Sequence, residues 1–171
     1  MPEAPRQGLI KGMAFFLTAL IVLALDQLSK FLIRANMSPG QSIPEDGLFR
    51  ITYVTNIGGV FGILSNQAFL IILTSAVGIA AILLYSRYPI FKRMLVKISL
   101  GLLLGGALGN LIDRLFVGEF GQVVDFIDIG FGQYRWPTFN LADSAISVGV
   151  ILLFYYFIFL VTKEEQLKKN E

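Results

Sequence analysis

Four long apolar stretches divide the chain, each close to the roughly 20 residues that a helix needs to cross the hydrocarbon core of a bilayer. The first runs from about Gly12 to Ile33, its uncharged part ending at Leu25, and the second, Ala68–Tyr85, carries no charge. The third runs from about Met94 to Ile112 with Lys97 near one end, and the fourth from about Phe139 to Val161, uncharged after Asp143. Arg6 and Lys11 precede the first stretch as in a secretory signal, but no small-x-small cleavage site follows, so it reads as a retained helix. Between the stretches the pattern changes. Residues 34–67 hold Pro39-Gly40, a turn-like Pro44-Glu45-Asp46-Gly47 and an alternating run, Leu48 to Val54, that suits a half-buried strand. Residues 114–138 hold Gln122 to Ile127, a second short strand between glycines. The pattern predicts one membrane-embedded domain over residues 1–171, all-α with four transmembrane helices, and a small β-rich platform on one membrane face.

Composition strengthens this reading. Hydrophobic residues make up 55% of the chain and charged residues 15%, against about 25% charged in ordinary globular proteins. The net charge of +2 is too small, and the basic residues too scattered, for a nucleic-acid partner. Four spans place both termini on one side, together with nine basic residues: Arg6, Lys11, Arg87, Lys92, Arg93, Lys97, Lys163, Lys168 and Lys169. The other side holds five, Lys30, Arg34, Arg50, Arg114 and Arg135. The positive-inside rule then puts both termini in the cytoplasm and the two strand-bearing segments outside.

The polar interruptions of the spans gather at one depth. Asp26, Gln27 and Lys30 lie near the outer end of the first, Asn110, Asp113 and Arg114 at the outer end of the third, and Asn140 and Asp143 at the outer start of the fourth. An ionisable group at the centre of a span costs about 2.5–3.5 kcal/mol on insertion scales, so such residues usually face a bundle interior or a wet cavity. Helical spacing places Asp26 with Lys30, Asn110 with Asp113 and Arg114, and Asn140 with Asp143 on common faces, and one polar cavity would satisfy all of them. The bland alternative is that they cap or anchor helix ends, a role Asn140 suits by itself. Gly101, Gly105 and Gly109 form small-xxx-small steps that read as close helix packing. Trp136, Tyr155, Tyr156 and Phe157 read as interface anchors or lipid-facing bulk.

The chain contains neither Cys nor His, which excludes disulfides, Cys/His zinc sites, thiol nucleophiles and imidazole-dependent triads. Two carboxylates held close together split their pKa values, leaving one able to take a proton from water and the other able to donate to a carbonyl. Such a pair hydrolyses peptide bonds without metal or covalent intermediate. Ser29 beside Lys30 is a poor Ser-Lys pair because adjacent helical residues diverge, and no spacing specifies a Mg²⁺ or Ca²⁺ site. A proton-coupled transporter is the non-enzymatic alternative; polar groups confined to one end and an uncharged second span count against it. A structural scaffold would leave the grouped acids and amides without purpose.

Five blocks in order resemble the lipoprotein (type II) signal peptidases: Asp26-Gln27-Leu28-Ser29-Lys30, Asn56-Ile57-Gly58-Gly59-Val60-Phe61-Gly62, Gly105 to Arg114, Val123-Val124-Asp125-Phe126-Ile127, and Phe139-Asn140-Leu141-Ala142-Asp143-Ser144. They cover about residues 20–150; Val60 stands where the family usually has Ala, and Thr55 where Tyr is common before the Asn. The resemblance implies an aspartic endopeptidase with Asp125 and Asp143 as catalytic dyad. It implies Asp26, Lys30, Asn56, Gly58, Asn110, Asp113, Arg114, Asn140 and Ala142 as supporting shell and substrate contacts. It further implies a diacylglyceryl-modified prolipoprotein substrate cut just before the lipidated cysteine, and a site at the outer face of the bacterial cytoplasmic (inner) membrane. No cofactor or metal is expected, membrane lipid is the surrounding partner, the enzyme is expected as a monomer, and the family is a target of the cyclic peptide globomycin.

Overall fold

The computed structural model describes residues 4–56, 68–85, 93–117 and 121–161. Gly58 and Val60, the basic residues Arg87, Lys92, Lys163, Lys168 and Lys169, and most of the expected second block lie outside the described residues.

Helix α1 (Ala4–Asn36) extends beyond the expected 12–33 at both ends. It stops where Pro39-Gly40 turns the chain, Gly40 taking a φ of 84° that favours glycine. Helix α2 (Ala68–Tyr85) coincides with the second apolar stretch. Helix α3 (Met94–Phe116) runs one turn past Ile112, and α4 (Leu141–Tyr155) continues as a π-helical segment, Tyr156–Val161. Among the described residues three helices have the length and apolarity of membrane spans, Met13–Asn36, Met94–Phe116 and Leu141–Leu160. The apolar part of α2, Ile71–Leu84, is shorter.

Helix α3 is the centre of the bundle because its glycines let neighbouring backbones approach. A Cβ added at Gly101 would lie 2.7 Å from the Phe15 carbonyl oxygen, and one at Gly105 2.6 Å from that of Ala19, so this face of α3 lies against α1. A Cβ at Gly106 would lie 2.5 Å from the Ala142 oxygen, so the adjoining face lies against α4. The small-residue steps are thus packing surfaces. Around them Phe15, Ala19, Val96, Leu100, Leu104 and Tyr156 form a buried core. Tyr156 corrects one expectation: it points inward, 5% exposed, while Tyr155 and Phe157 are exposed. Phe16, Leu20, Leu28 and Phe31 of α1 and Ile151, Phe154 and Phe159 past the start of α4 form outward apolar surfaces, as lipid-facing helices require.

The two strand-bearing segments build one antiparallel four-stranded sheet in the order β1 (Ser42–Ile43), β2 (Phe49–Asn56), β3 (Val123–Phe131) and β4 (Tyr134–Arg135). The alternating run and the Val-Val-Asp block are its two long central strands, β3 extending four residues past the expected Ile127. Residues 44–48 bend between β1 and β2 as the Pro-Glu-Asp-Gly signal predicts. A register shift between Ile51 and Val54 sets Val54 opposite Asp125 and Asn56 opposite Val123, consistent with a β-bulge. Phe139 closes the far edge, bridging Ile127 just before α4 begins.

Candidate active site

Helix α4 starts with a capping box. The Asn140 side chain accepts from the Asp143 backbone N–H at 2.9 Å, and the Asp143 carboxylate accepts from the Asn140 N–H at 3.2 Å. This satisfies two of the unpaired donors of the helix start, so the capping reading of Asn140 is correct as far as it goes. The same amide does more. Its Nδ2 donates to Asp125 Oδ1 at 2.7 Å and to Asn110 Oδ1 at 3.1 Å. One side chain therefore ends the β3–α4 connection, starts the helix and reaches both acidic residues.

Asp125 lies on β3, 3% exposed, and accepts Asn56 Nδ2 on its second oxygen at 3.0 Å. Asp143 is half-buried and accepts Asn110 Nδ2 at 2.8 Å. Burial, and next the negative charge of Asp143, push the Asp125 carboxyl up to about 7, against smaller opposing pulls from Asn56, Asn140 and Lys30. Both carboxyls line a cavity of about 670 Å³ together with the amides of Asn56 and Asn110, the Arg114 guanidinium and the hydroxyl residues Ser75, Thr138, Ser144 and Ser147. Its remaining wall includes Ile71 of α2, Trp136, Pro137 and Phe139, and Ile146 and Val148 of α4. Arg114 donates to the Asn110 carbonyl at 3.2 Å.

Asp26, Lys30 and Asp113 are elsewhere. All three are completely buried and none lines the cavity, which corrects the expectation of a single polar cavity shared by every intramembrane group. Lys30 Nζ pairs with Asp26 at 2.9 Å and with Asp113 at 3.1 Å, and donates to Asn110 Oδ1 at 3.0 Å. Gln27, quoted in the first block but given no role, donates to Asp26, to Asp113 and to the Gly109 carbonyl. Two carboxylates sharing one ammonium and one amide have the partners that buried charge requires. Gly109 makes room for them, since a Cβ there would collide with the Asp26 carboxylate. Ala142 contributes its backbone N–H, which donates to Asp26 Oδ1 at 3.0 Å. Among the described residues no group of three or more acidic side chains is arranged to hold a metal ion.

A second polar cluster escaped the sequence reading. Asp128 on β3 is 3% exposed and accepts Arg50 at 2.7 Å, Thr52 at 2.8 Å and the Arg135 guanidinium. Arg50 and Arg135 also donate to the Glu45 and Gly47 carbonyls, tying the 44–48 bend to the sheet. Burial alone would raise the Asp128 carboxyl, but the donors from Arg135, Thr52 and Arg50 outweigh it and hold the group below its ordinary value. The available signal was an acid at the centre of a strand, with arginines in both neighbouring strands. Trp136, read as an interface anchor, is exposed and stands on the cavity wall.

Comparison with known proteins shows the family. A family model described as signal peptidase (SPase) II matches residues 18–159. The chain is 50% identical over 142 residues to the lipoprotein signal peptidase of Moorella thermoacetica, covering 82% of this chain and 90% of that one. It is 46% identical over 144 residues to that of Bacillus subtilis, with 83% and 91% covered. Among solved structures it matches a bacterial membrane enzyme determined by the in meso method at 2.3 Å resolution, with a TM-score of 0.77, 33% identity and 92% of both chains covered. The family match includes both acidic residues, and the chain belongs to the lipoprotein signal peptidase family.

Proposed function

We propose that this chain is the aspartic endopeptidase that removes signal peptides from diacylglyceryl-modified bacterial prolipoproteins, cleaving just before the lipidated cysteine. The observation that carries the reading is the placement of Asp125 and Asp143. Two carboxyls on different elements, joined through Asn140, line one cavity whose other walls are largely apolar. Asp125, raised to about 7 by burial and by the Asp143 charge, is the member of the pair that holds a proton to higher pH and donates it to the scissile carbonyl. Asp143, in the first turn of α4, accepts a proton from the attacking water. Asp143 then passes that proton to the amine as the C–N bond breaks, and Asp125 regains its own from the hydroxyl of the tetrahedral intermediate. This leaves the signal peptide with a new carboxyl terminus and the lipidated cysteine as a new N-terminus. Asn56, Asn110, Arg114 and Asn140 hold the substrate and the pair, and Gly58 belongs with them on the family resemblance.

The enclosing reading is one domain over residues 1–171, with α2 as the fourth span, both termini cytoplasmic, and the sheet and cavity at the outer face of the cytoplasmic membrane. The substrate's apolar segment lies among the helices while its acyl chains extend into lipid, and the enzyme acts as a monomer without cofactor. A gel-shift assay in detergent tests the chemistry, with diacylglyceryl-modified prolipoprotein and its unlipidated precursor as substrates. Wild type is expected to cut only the lipidated form. Asp125→Asn and Asp143→Asn are each expected to insert normally and lose at least about 10³-fold in turnover, the scale reported for losing one member of a catalytic set. Normal turnover by either variant overturns the dyad.

A further inference from the structure

Each catalytic carboxyl is preceded in the chain by a residue whose backbone N–H is held by a buried carboxylate. Asp26 Oδ1 accepts from the Ala142 N–H at 3.0 Å, one residue before Asp143. Asp113 Oδ2 accepts from the Val124 N–H at 3.1 Å, one residue before Asp125. The two carboxylates are bound to each other through Lys30, at 2.9 and 3.1 Å, and through Gln27. This joins α1, α3, β3 and the start of α4 at one point, without any of the three charged residues reaching the cavity.

Lys30 also sets the direction of the amides. An ammonium only donates, so Asn110 must turn Oδ1 toward it, at 3.0 Å. Its Nδ2 then faces Asp143, at 2.8 Å. The same Oδ1 receives Asn140 Nδ2, which leaves the Asn140 oxygen for the Asp143 N–H and the amide nitrogen for Asp125. With Lys30 replaced by an apolar residue, both amides lose their reason to point one way.

We infer that Asp26, Lys30 and Asp113 are positioning residues: a buried ion cluster that fixes the two catalytic carboxyls through one backbone N–H each and through the polarity of the Asn110–Asn140 relay. It deepens the dyad reading above and rests on it. The cluster makes no substrate contact, which separates it from Asn56, Asn110 and Arg114 on the cavity wall.

The test is steady-state cleavage of diacylglyceryl-modified prolipoprotein by the full chain in detergent micelles, for Asp26→Ala, Asp113→Ala and Lys30→Met. Each is expected to lose about 100-fold in kcat, the scale of a 1 Å misplacement at an active site, with KM within about threefold of wild type because ground-state binding is untouched. The double variant Lys30→Gln with Asp113→Asn keeps the net charge of the cluster and an acceptor for the Val124 N–H. It is expected to regain at least about tenfold of the kcat lost in Asp113→Ala, again on the geometric argument, and it decides the matter should an alanine variant fail to insert. A raised KM with unchanged kcat makes these residues substrate contacts and overturns the inference. So does wild-type kcat in the inserted single variants, or no recovery in an inserted double variant. Full turnover by Asp125→Asn and Asp143→Asn sinks the dyad itself; loss there with wild-type turnover in the cluster variants sinks only the positioning role.

Discussion

Asp125 and Asp143 carry the same functional group in two settings. Asp125 is buried on a strand, and the neighbouring charge of Asp143 adds to the effect of burial, so its proton is held up to about 7. The sign follows directly: below that value Asp125 is protonated and can donate, and above it the proton is lost, so cleavage is expected to fall along a basic limb near pH 7. The groups that act on Asp125 are the charges of Asp143 from α4, Lys30 from α1 and Arg114 from α3, and the amides Asn56 and Asn140 that donate to it. Asn56 donates to the ionised form and holds the value down. Asn56→Ala is therefore expected to move the basic limb of a kcat profile to higher pH, and a limb that stays or moves down would separate it from Asp125. Sequence reasoning chose both acids and their amide partners by resemblance and helical spacing. It could not place Lys30, Asp26 and Asp113 apart from the cavity, because spacing along one helix sets a face and not what that face meets.

At the scale of elements, α3 owes its central place to glycines that admit neighbouring backbones, beside the apolar core that Val96, Leu100 and Leu104 build. The backbone carbonyls of Phe15, Ala19 and Ala142 lie where side chains of α3 would otherwise stand. Gly105→Ala is expected to lower the melting temperature in detergent, by an amount equivalent to about 1–3 kcal/mol, as inserting a methyl group into a closed packing surface does elsewhere. Gly78→Ala on α2 is the matching control, since nothing lies within 4 Å of a Cβ there. It removes a helix-interior glycine and should be neutral or stabilising by up to about 1 kcal/mol. Equal effects at the two positions would refute the packing account. The small-residue steps were legible in the sequence as packing, but the partner of each was not. Gly109 shows the difference: it continues the same periodic row, yet the space it leaves is filled by the Asp26 carboxylate and not by a helix backbone.

At the scale of the whole molecule, the helix ends and the sheet place the polar chemistry at one end of an apolar bundle. The proposed orientation can be read by labelling, because the chain has no cysteine of its own. Single cysteines at Ser38, in the turn after α1, and at Gln133, between β3 and β4, are expected to react with a membrane-impermeant maleimide in intact cells. One at Gln166 should react only after permeabilisation, and the opposite pattern would invert the topology. What the sequence determined by itself is what depends on local pattern. Apolar run length marks the helices, alternation marks the central strands, Asn140 with Asp143 marks the start of α4, and the acids and amides sit at one depth. What only the tertiary structure decided is how those polar groups divide. Side chains of similar chemistry at similar depth separate into a sealed ion cluster around Lys30 and an open cavity around Asp125 and Asp143. The inward turn of Tyr156 and the Asp128 clamp on the sheet belong to the same class. Each depends on which surfaces meet and how far they exclude water, and both are properties of packing between segments distant in the chain.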